Sequence, residues 1–330
     1  MVFFIGCILS IIMMNKLPTV SIVIAANRDD KHLRETVKNC LKLDYPHFEI
    51  IVVSTEKFSY QNKKVKVFSV GNKSPAYKRG FGVKKSNSKI IAFIDDDAYP
   101  RRDWLINAIK NFNDESIVGV GGPAVTPPND SLMQRAGGHV LESRLGSGSL
   151  AFRYFPKNNR FVDDFHSCNL ILRRDSLKNS WFNSNIWPGE DTQLVFSLVK
   201  STGKKVLYDN NVIVYHHRRS LFKPHLKQIY GYASHRGYFV RVLPETSRRF
   251  TYFIPSIFFV ALLFGLLFSF FSQSVKFLFL SGLFVYSFGL LYSSIHKSVR
   301  LFPIIFLGIF LTHFVYGFGF IKGFFGGVKH

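Results

Sequence analysis

The sequence has 330 residues, a net charge of +22 and three scattered cysteines, Cys7, Cys40 and Cys168. Their spacing indicates neither a disulfide framework nor a zinc site, and it favours a reducing, cytoplasmic setting for the charged part of the chain. The basic balance suits an anionic partner, but because no aromatic-basic recognition module accompanies it, we expect a membrane surface and no nucleic acid.

A short apolar segment opens the sequence, and strand-like and helix-like runs alternate after it. Residues 1–18 lack a basic start and a small-residue cleavage site, so an interfacial anchor, an uncleaved signal-like segment and an over-long start all stay open. The runs predict strands at 19–27, 48–54 and 64–70, and helices at 29–43 and 76–86. Such alternation predicts an α/β fold with a mostly parallel sheet and helices on both faces.

The next strand-like run, "IIAFIDDDAYP" (90–100), ends in three consecutive carboxylates, Asp95, Asp96 and Asp97. One aspartate would suit a turn, but three adjacent like charges repel one another and favour a bound cation such as Mg²⁺ or Mn²⁺. The carboxyl ends of parallel strands meet at the ligand-binding edge of a sheet, so 25–28 and 54–56 are expected beside these acids. Because such cations also take phosphate ligands, the pattern points to a nucleotide-diphosphate substrate.

The C-terminal part contains a basic-aromatic segment and then three long apolar runs. All 21 acidic residues precede residue 246, and the runs at 252–271, 277–295 and 301–321 each match a hydrocarbon core of about 30 Å. We predict three transmembrane helices within 250–330, preceded by an interfacial segment at 220–249. An ordinary domain-closing helix is the alternative for 220–249.

Four segments between residues 19 and 240 resemble, in order, the family 2 glycosyltransferases of GT-A fold. They are "VSIVIAANRDDKHLRETVKNCLKLDYPHFEIIVVS", "SPAYKRGFGVKKSNSKIIAFIDDDAYPRRDWL", "FHSCNLILRRDSL" and "WPGEDTQLVFSLVKSTGKKVLYDNNVIVYHHRR". The resemblance implies that 19–219 is a GT-A domain, a Rossmann-like sheet with helices on both faces, followed by the transmembrane helices. It also implies a metal-dependent enzyme that uses a nucleotide-diphosphate sugar.

The same resemblance assigns the metal site. Asp95 and Asp97 fall on the outer positions of the family's D-x-D motif, with Asp97 as the better candidate for direct contact with Mg²⁺ or Mn²⁺. His216 aligns with a histidine that completes the metal or diphosphate site in some members, and His217 is the alternative if the alignment is off by one.

The resemblance also assigns a base and a donor site. Asp191 falls on the catalytic base, with Glu190 as the nearest substitute, although acids in the first turn of a helix are also favoured by its dipole. The positions expected to contact the nucleotide donor are Ala25, Asn27, Ser54, Arg79, Asp95 and Asp96.

Two departures from the family pattern affect the expected substrates. The second strand ends in Ser54 where the family usually has Asp-Asp, and Arg28 follows Asn27 where an acidic residue is usual, which leaves the nucleobase open. The motif Gln-x-x-Arg-Trp of processive synthases is absent at Gln228, so a single sugar addition is expected.

The sequence therefore predicts an inverting glycosyltransferase in the cell membrane, with its catalytic domain in the cytoplasm. Its partners would be a nucleotide-diphosphate sugar, a lipid-linked or glycan acceptor and the bilayer. Three crossings would place the C-terminus on the opposite side from the catalytic domain. The alternatives are a metal-dependent nucleotidyltransferase, which would release pyrophosphate, and a non-catalytic membrane scaffold, which would be expected to have lost Asp97 or Asp191.

Overall fold

The computed structural model describes residues 17–179, 182 and 188–326, so the predicted apolar segment, apart from Leu17 and Pro18, lies outside the described residues. The described chain forms two compact units. The first contains the chain up to Ala124 together with Asn158–Tyr215, and the second contains Val125–Lys157 and the chain from His216 on. The predicted GT-A domain at 19–219 includes residues 125–157, whereas the structure groups them with the C-terminal helices.

The strands form one large and one small sheet. The large sheet has the order β3–β2–β1–β4–β9–β6–β10–β8, and the small sheet has the order β5–β11–β7. The strands are β1 (Val20–Ala25), β2 (Phe48–Ser54), β3 (Val65–Ser69), β4 (Ile90–Asp95), β5 (Ala98–Pro100), β6 (Ile117–Gly121), β7 (Ala124–Val125), β8 (Arg160–Val162), β9 (Asn169–Arg173), β10 (Lys205–Tyr208) and β11 (Val214–His216).

The large sheet is mixed, with its parallel part where the sequence predicts one. β1 pairs in parallel with β2 and β4, and β2 with β3. β9 lies antiparallel between β4 and β6, and β10 is parallel to β6 and antiparallel to β8. The predicted α/β architecture is confirmed, and the antiparallel insertion of β9 is a feature that the sequence pattern did not indicate.

Eleven α-helices lie within the described residues. In the first unit they are α1 (Lys31–Cys40), α2 (Pro75–Lys85), α3 (Trp104–Ile109) and α6 (Glu190–Thr202). In the second unit they are α4 (Leu132–Glu142), α5 (Arg144–Ser147), α7 (Lys223–Val242), α8 (Pro244–Ser247), α9 (Phe250–Phe268), α10 (Gln273–Lys297) and α11 (Phe302–Gly326).

The position of α2 follows from its local sequence. Ser74 caps its N-terminus by accepting a hydrogen bond from the Tyr77 N–H, and Pro75 occupies the first turn, where a missing N–H costs nothing. Gly82 lies directly over β1, where a Cβ atom would come within 2.4 Å of the Val23 side chain. The helix therefore packs close to the sheet, and its first turns lie near the carboxyl ends of the strands.

Three helices of the second unit, α9, α10 and α11, are long and apolar enough to cross a membrane. α9 ends three residues before the predicted run does, and α10 extends past its run on both sides to include Lys276 and Lys297. Of the most apolar 18-residue stretch in each helix, 11% is buried in α9 and 6% in α10, whereas 39% is buried in α11. α11 therefore packs much more extensively against protein than the other two.

Candidate active site

The ends of three parallel strands place the predicted donor-site residues along one edge of the sheet. Ala25, the last residue of β1, lies in register with Val53 of β2 and with Asp95 of β4. Ser54 follows Val53 and is fully buried, with its hydroxyl donating to the Glu56 carbonyl at 2.6 Å. This edge is where ligands bind in open α/β sheets.

A lysine that sequence reasoning did not single out holds the ends of β1 and β2 together. Lys78 of α2 is 2% exposed, and its Nζ donates to the Ala26 carbonyl at 2.7 Å, to Asn27 Oδ1 at 2.9 Å and to Thr55 Oγ1 at 2.8 Å. Burial lowers the pKa of Lys78, and the nearby Asp96 partly counteracts this effect. Nothing in the sequence separates Lys78 from the exposed lysines around it.

The next residue, Arg79, joins two of the predicted carboxylates. One guanidinium nitrogen lies 2.7 Å from Asp95 Oδ1 and another lies 2.7 Å from Glu190 Oε1. Although burial opposes the charged form, the two carboxylates raise the pKa of Arg79, which remains cationic. Arg79 thereby connects the end of β4 to the start of α6.

The turn after β4 concentrates negative charge. Asp95, Asp96 and Asp97 are half-buried, and burial together with the flanking carboxylates raises the pKa of Asp96 to about 7. The Thr36 hydroxyl of α1 lies within hydrogen-bonding distance of the Asp96 and Ala98 carbonyl oxygens and so fixes the turn. Three carboxylates on a fixed turn form a hard oxygen donor set, which fits Mg²⁺ or Mn²⁺ chemically.

The predicted base and its neighbour have different surroundings. The carboxylate oxygens of Asp191 accept hydrogen bonds from the backbone N–H of Ser167 at 3.1 Å and of Thr192 at 2.8 Å. Glu190 is 4% exposed and binds Arg79 through one oxygen and the Gly189 N–H through the other. Burial raises the pKa of both carboxyl groups, and Arg79 opposes the rise in each.

The backbone before α6 explains how both acids are presented. Gly189 caps the helix with φ of 114°, in the left-handed region that favours glycine. The two acids then occupy the first turn, where the helix dipole favours negative charge. The two acids therefore start a helix, as their position in a favourable first turn predicts. They also lie close to the Arg79 guanidinium.

Two further residues support this cluster, and sequence reasoning gave neither a role. Asp164 accepts a hydrogen bond from the Thr192 hydroxyl at 2.7 Å and adds to the rise in the Asp191 pKa. Asn169, fully buried at the start of β9, accepts from Trp104 Nε1 and donates to the Pro123 and Val212 carbonyls. The quoted segment "FHSCNLILRR" contains Asn169, but its pattern does not reveal these partners.

The two candidate histidines lie at the start of the second unit. Nδ1 of His216 lies 3.2 Å from Arg218 Nη1, whereas Nδ1 of His217 contacts Asp130. Of the predicted site residues, Arg79, Asp95, Glu190 and Asp191 are brought together within the first unit. The assignment of His216 to the metal stays a prediction.

Comparison with known proteins agrees with this fold and sequence pattern. A family model described as "Glycosyl transferase family 2" matches residues 21–181. A dolichyl N-acetyl-alpha-D-glucosaminyl phosphate 3-beta-D-2,3-diacetamido-2,3-dideoxy-beta-D-glucuronosyltransferase from Methanococcus voltae is 23% identical over an alignment of 327 residues. The alignment covers 92% of this chain and 96% of that protein.

Two further proteins are similar over different extents. A pre-mycofactocin glycosyltransferase from Mycobacterium tuberculosis (strain CDC 1551 / Oshkosh) is 25% identical over 163 residues, covering 48% of this chain and 34% of that protein. A mannosyltransferase from Pyrobaculum calidifontis, solved in complex with GDP-Man and Mn²⁺, superimposes with a TM-score of 0.64 at 14% identity over 94% of this chain and 88% of that chain. The last likeness shows the fold.

The buried position of Arg79 leads to a stability prediction. Arg79→Met leaves Asp95 and Glu190 without their shared cation, and breaking a buried ion pair from one side costs about 3–5 kcal/mol. We expect the free energy of unfolding in detergent, measured by chemical denaturation, to fall by that amount. In the control Arg34→Met, which removes the exposed Arg34–Asp29 pair, it should stay nearly unchanged. Equal losses in the two variants would contradict the buried bridge.

Lys78 leads to a second stability prediction. In Lys78→Met the methionine side chain fills about the same volume as the lysine, but the three oxygen acceptors lose their donor. An unsatisfied buried polar group costs about 1–3 kcal/mol. We expect a loss of about 3 kcal/mol in the same measurement, whereas Lys84→Met, at an exposed position of the same helix, should change little. A Lys78→Met variant as stable as the parent chain would show that the ends of β1 and β2 do not depend on this ammonium.

Proposed function

We propose that this chain, which belongs to the family 2 glycosyltransferases, transfers one sugar from a nucleotide-diphosphate sugar to a lipid-linked or membrane-proximal acceptor with inversion of configuration. The observation that carries this proposal is the Arg79 bridge, which fixes Asp95 of the acidic turn and the Glu190–Asp191 turn of α6 at one edge of the sheet. One half of that arrangement suits a leaving diphosphate, and the other suits an attacking hydroxyl.

The donor half is proposed from the acidic turn and the strand ends. Asp97 and Asp95, with His216, would hold Mg²⁺ or Mn²⁺, in agreement with the Mn²⁺ and GDP-Man in the structural relative from Pyrobaculum calidifontis. When bound, such a cation stabilises the negative charge that develops on the departing diphosphate. Ala25 and Asn27 would receive the nucleoside, with Lys78 holding Asn27 in place and the buried Ser54 hydroxyl holding the Glu56 carbonyl beside them.

The acceptor half is proposed from the two acids of α6. An acceptor hydroxyl must lose its proton as it attacks, and a carboxylate within hydrogen-bonding reach can accept that proton. Asp191 suits this role because two backbone N–H groups orient its carboxylate. Glu190 suits it less, because its buried carboxylate is already held by Arg79 through one oxygen and by the Gly189 N–H through the other.

The acceptor class is proposed from the membrane helices and from one relative. The Methanococcus voltae enzyme is named for transfer to a dolichyl-linked sugar phosphate, and its similarity extends over almost the whole of both chains. The three apolar helices fit an acceptor that resides in the membrane. We place the catalytic domain on the cytoplasmic side, where nucleotide sugars are made and cysteines stay reduced.

The metal assignment can be tested with Asp97→Asn. Losing one anionic ligand should weaken metal-dependent binding of the donor and reduce turnover together, because both depend on the same cation. A screen of nucleotide sugars for hydrolysis and transfer identifies the donor. Its binding is then titrated with and without EDTA. Asp44→Asn, an exposed carboxylate paired with Arg102, serves as the control. Full activity of the parent enzyme in EDTA would contradict the metal.

The base assignment can be tested with Asp191→Asn. The amide keeps the size of the carboxylate but cannot accept the proton, so turnover should fall by about 10²–10⁴-fold. Binding of the donor in the presence of metal should change little, in contrast to Asp97→Asn. If Asp191→Asn lost donor binding as severely as Asp97→Asn, the residue would belong to the metal site. If it kept the full rate, Glu190 would be the next base to test.

A further inference from the structure

The helices of the second unit are not arranged like three antiparallel crossings. α9 and α10 form a hairpin, in which Phe258 packs against Tyr286 with ring centres 4.5 Å apart. Further along the pair, Gly265 lies against the Phe279 ring, where a Cβ atom would come within 2.5 Å. We call residues 250–259 and 286–297 the hairpin base, and residues 260–285 the hairpin tip.

α11 begins at the hairpin base. Leu301, immediately before the helix, and Ile305 belong to one buried cluster with Leu290 of the base. A third crossing antiparallel to α10 would leave this point and run along the hairpin. At 1.5 Å per residue its 25 residues extend about 38 Å, so its last turns would reach the level of the hairpin tip.

The last turns of α11 lie at the hairpin base instead. Phe320 packs against Phe253 with ring centres 5.0 Å apart, and a Cβ atom on Gly317 would lie 2.3 Å from the Pro255 carbonyl oxygen. Midway along α11, Phe310 packs against Phe258. Because the start, middle and end of α11 all contact the base, the helix runs across the hairpin rather than along it.

A charged helix covers the same part of α11. α7 runs beside it through close backbone contacts: a Cβ atom on Gly237 would lie 2.1 Å from the Phe320 carbonyl oxygen, and one on Gly323 would lie 1.9 Å from the Ser234 carbonyl oxygen. The basic side chains of α7 are Lys223, Lys227, Arg236 and Arg241. Burying such charges at the bilayer centre costs roughly 2.5–3.5 kcal/mol each on insertion scales, so α7, and α11 with it, belongs at the membrane surface.

In contrast to the charged α7, the hairpin tip has an apolar surface. Its large apolar side chains face outward, as with Phe264, Phe277 and Phe284, which are 53%, 75% and 73% exposed. Arg249 precedes the hairpin and Lys297 ends it, while Lys276 lies at the far end. Positive charges at both levels with apolar residues between them are typical of a segment that crosses a bilayer.

We propose that only the α9–α10 hairpin crosses the bilayer, and that α11 lies in the plane of the membrane surface across the hairpin base, beside α7. The lipid headgroup layer is then the partner of the α7–α11 surface, and acyl chains surround the hairpin tip. Two crossings return the C-terminus to the side of the catalytic domain, whereas three predicted spans place it opposite. The inference concerns the anchor and does not depend on the reaction.

Cysteine labelling in intact cells tests this topology on the full chain. Three single variants are treated with a membrane-impermeant maleimide before and after permeabilisation: Lys38→Cys at an exposed position of α1, Ser274→Cys at the hairpin tip and His330→Cys at the C-terminus. The unsubstituted chain provides the background, and protein retained in the membrane fraction shows that each variant is inserted. We expect His330→Cys to label together with Lys38→Cys, and Ser274→Cys to label from the opposite side.

Each other pattern overturns the proposal. Labelling of His330→Cys together with Ser274→Cys, opposite to Lys38→Cys, would establish a third crossing by α11. Labelling of all three variants from one side would show that the hairpin dips into the bilayer without crossing it. Neither result would affect the proposed transfer reaction, which is measured separately with the donor and acceptor.

Discussion

The buried guanidinium of Arg79 is the contact on which the arrangement of the site depends. Asp95 follows Arg79 by 16 positions and Glu190 by 111, so a single side chain connects a local turn to a helix from a distant part of the chain. A buried arginine needs well-placed anions, and these anions need the arginine, because each would be unfavourable alone. The geometry of the carboxylate cluster is therefore determined jointly by three elements, β4, α2 and α6.

The charge balance of the acidic turn links the proton to the proposed cation. Burial and the flanking carboxylates raise the pKa of Asp96 to about 7, so repulsion within the turn can be relieved by a proton. A divalent cation relieves the same repulsion, and protons and metal ions therefore compete for this turn.

Much of the fold could be predicted because its signals are local. The β-branched runs at 19–27 and 48–54 contain β1 and β2, and the triple aspartate lies at the predicted strand end. Arg79 was predicted to serve the donor site, but its two carboxylate partners come from tertiary packing. Burial of Lys78 could not be predicted, since lysine is usually exposed and its three acceptors are brought to it only by the close packing of α2 on β1.

The apolar helices show a different limit of sequence reasoning. Length and hydropathy describe α9, α10 and α11 alike, because both measures ignore what packs around a helix. What distinguishes α11 is its close packing at glycines, since Gly317, Gly319 and Gly323 allow other backbones to approach closely. A pattern of small residues within an apolar run does not reveal whether the neighbour is another crossing helix or a charged helix at the surface.

The adjacency of Lys78 and Arg79 has a mechanical consequence for how this enzyme can change. Both cations leave the same turn of α2, one toward the ends of β1 and β2 and the other toward β4 and α6. A shift of α2 along the sheet would displace both anchoring points at once. In the proposed donor site, adaptation to a different donor through movement of this helix would therefore be constrained by the carboxylate cluster. New donor preferences would be more readily acquired through side chains on the strand ends than through the position of α2.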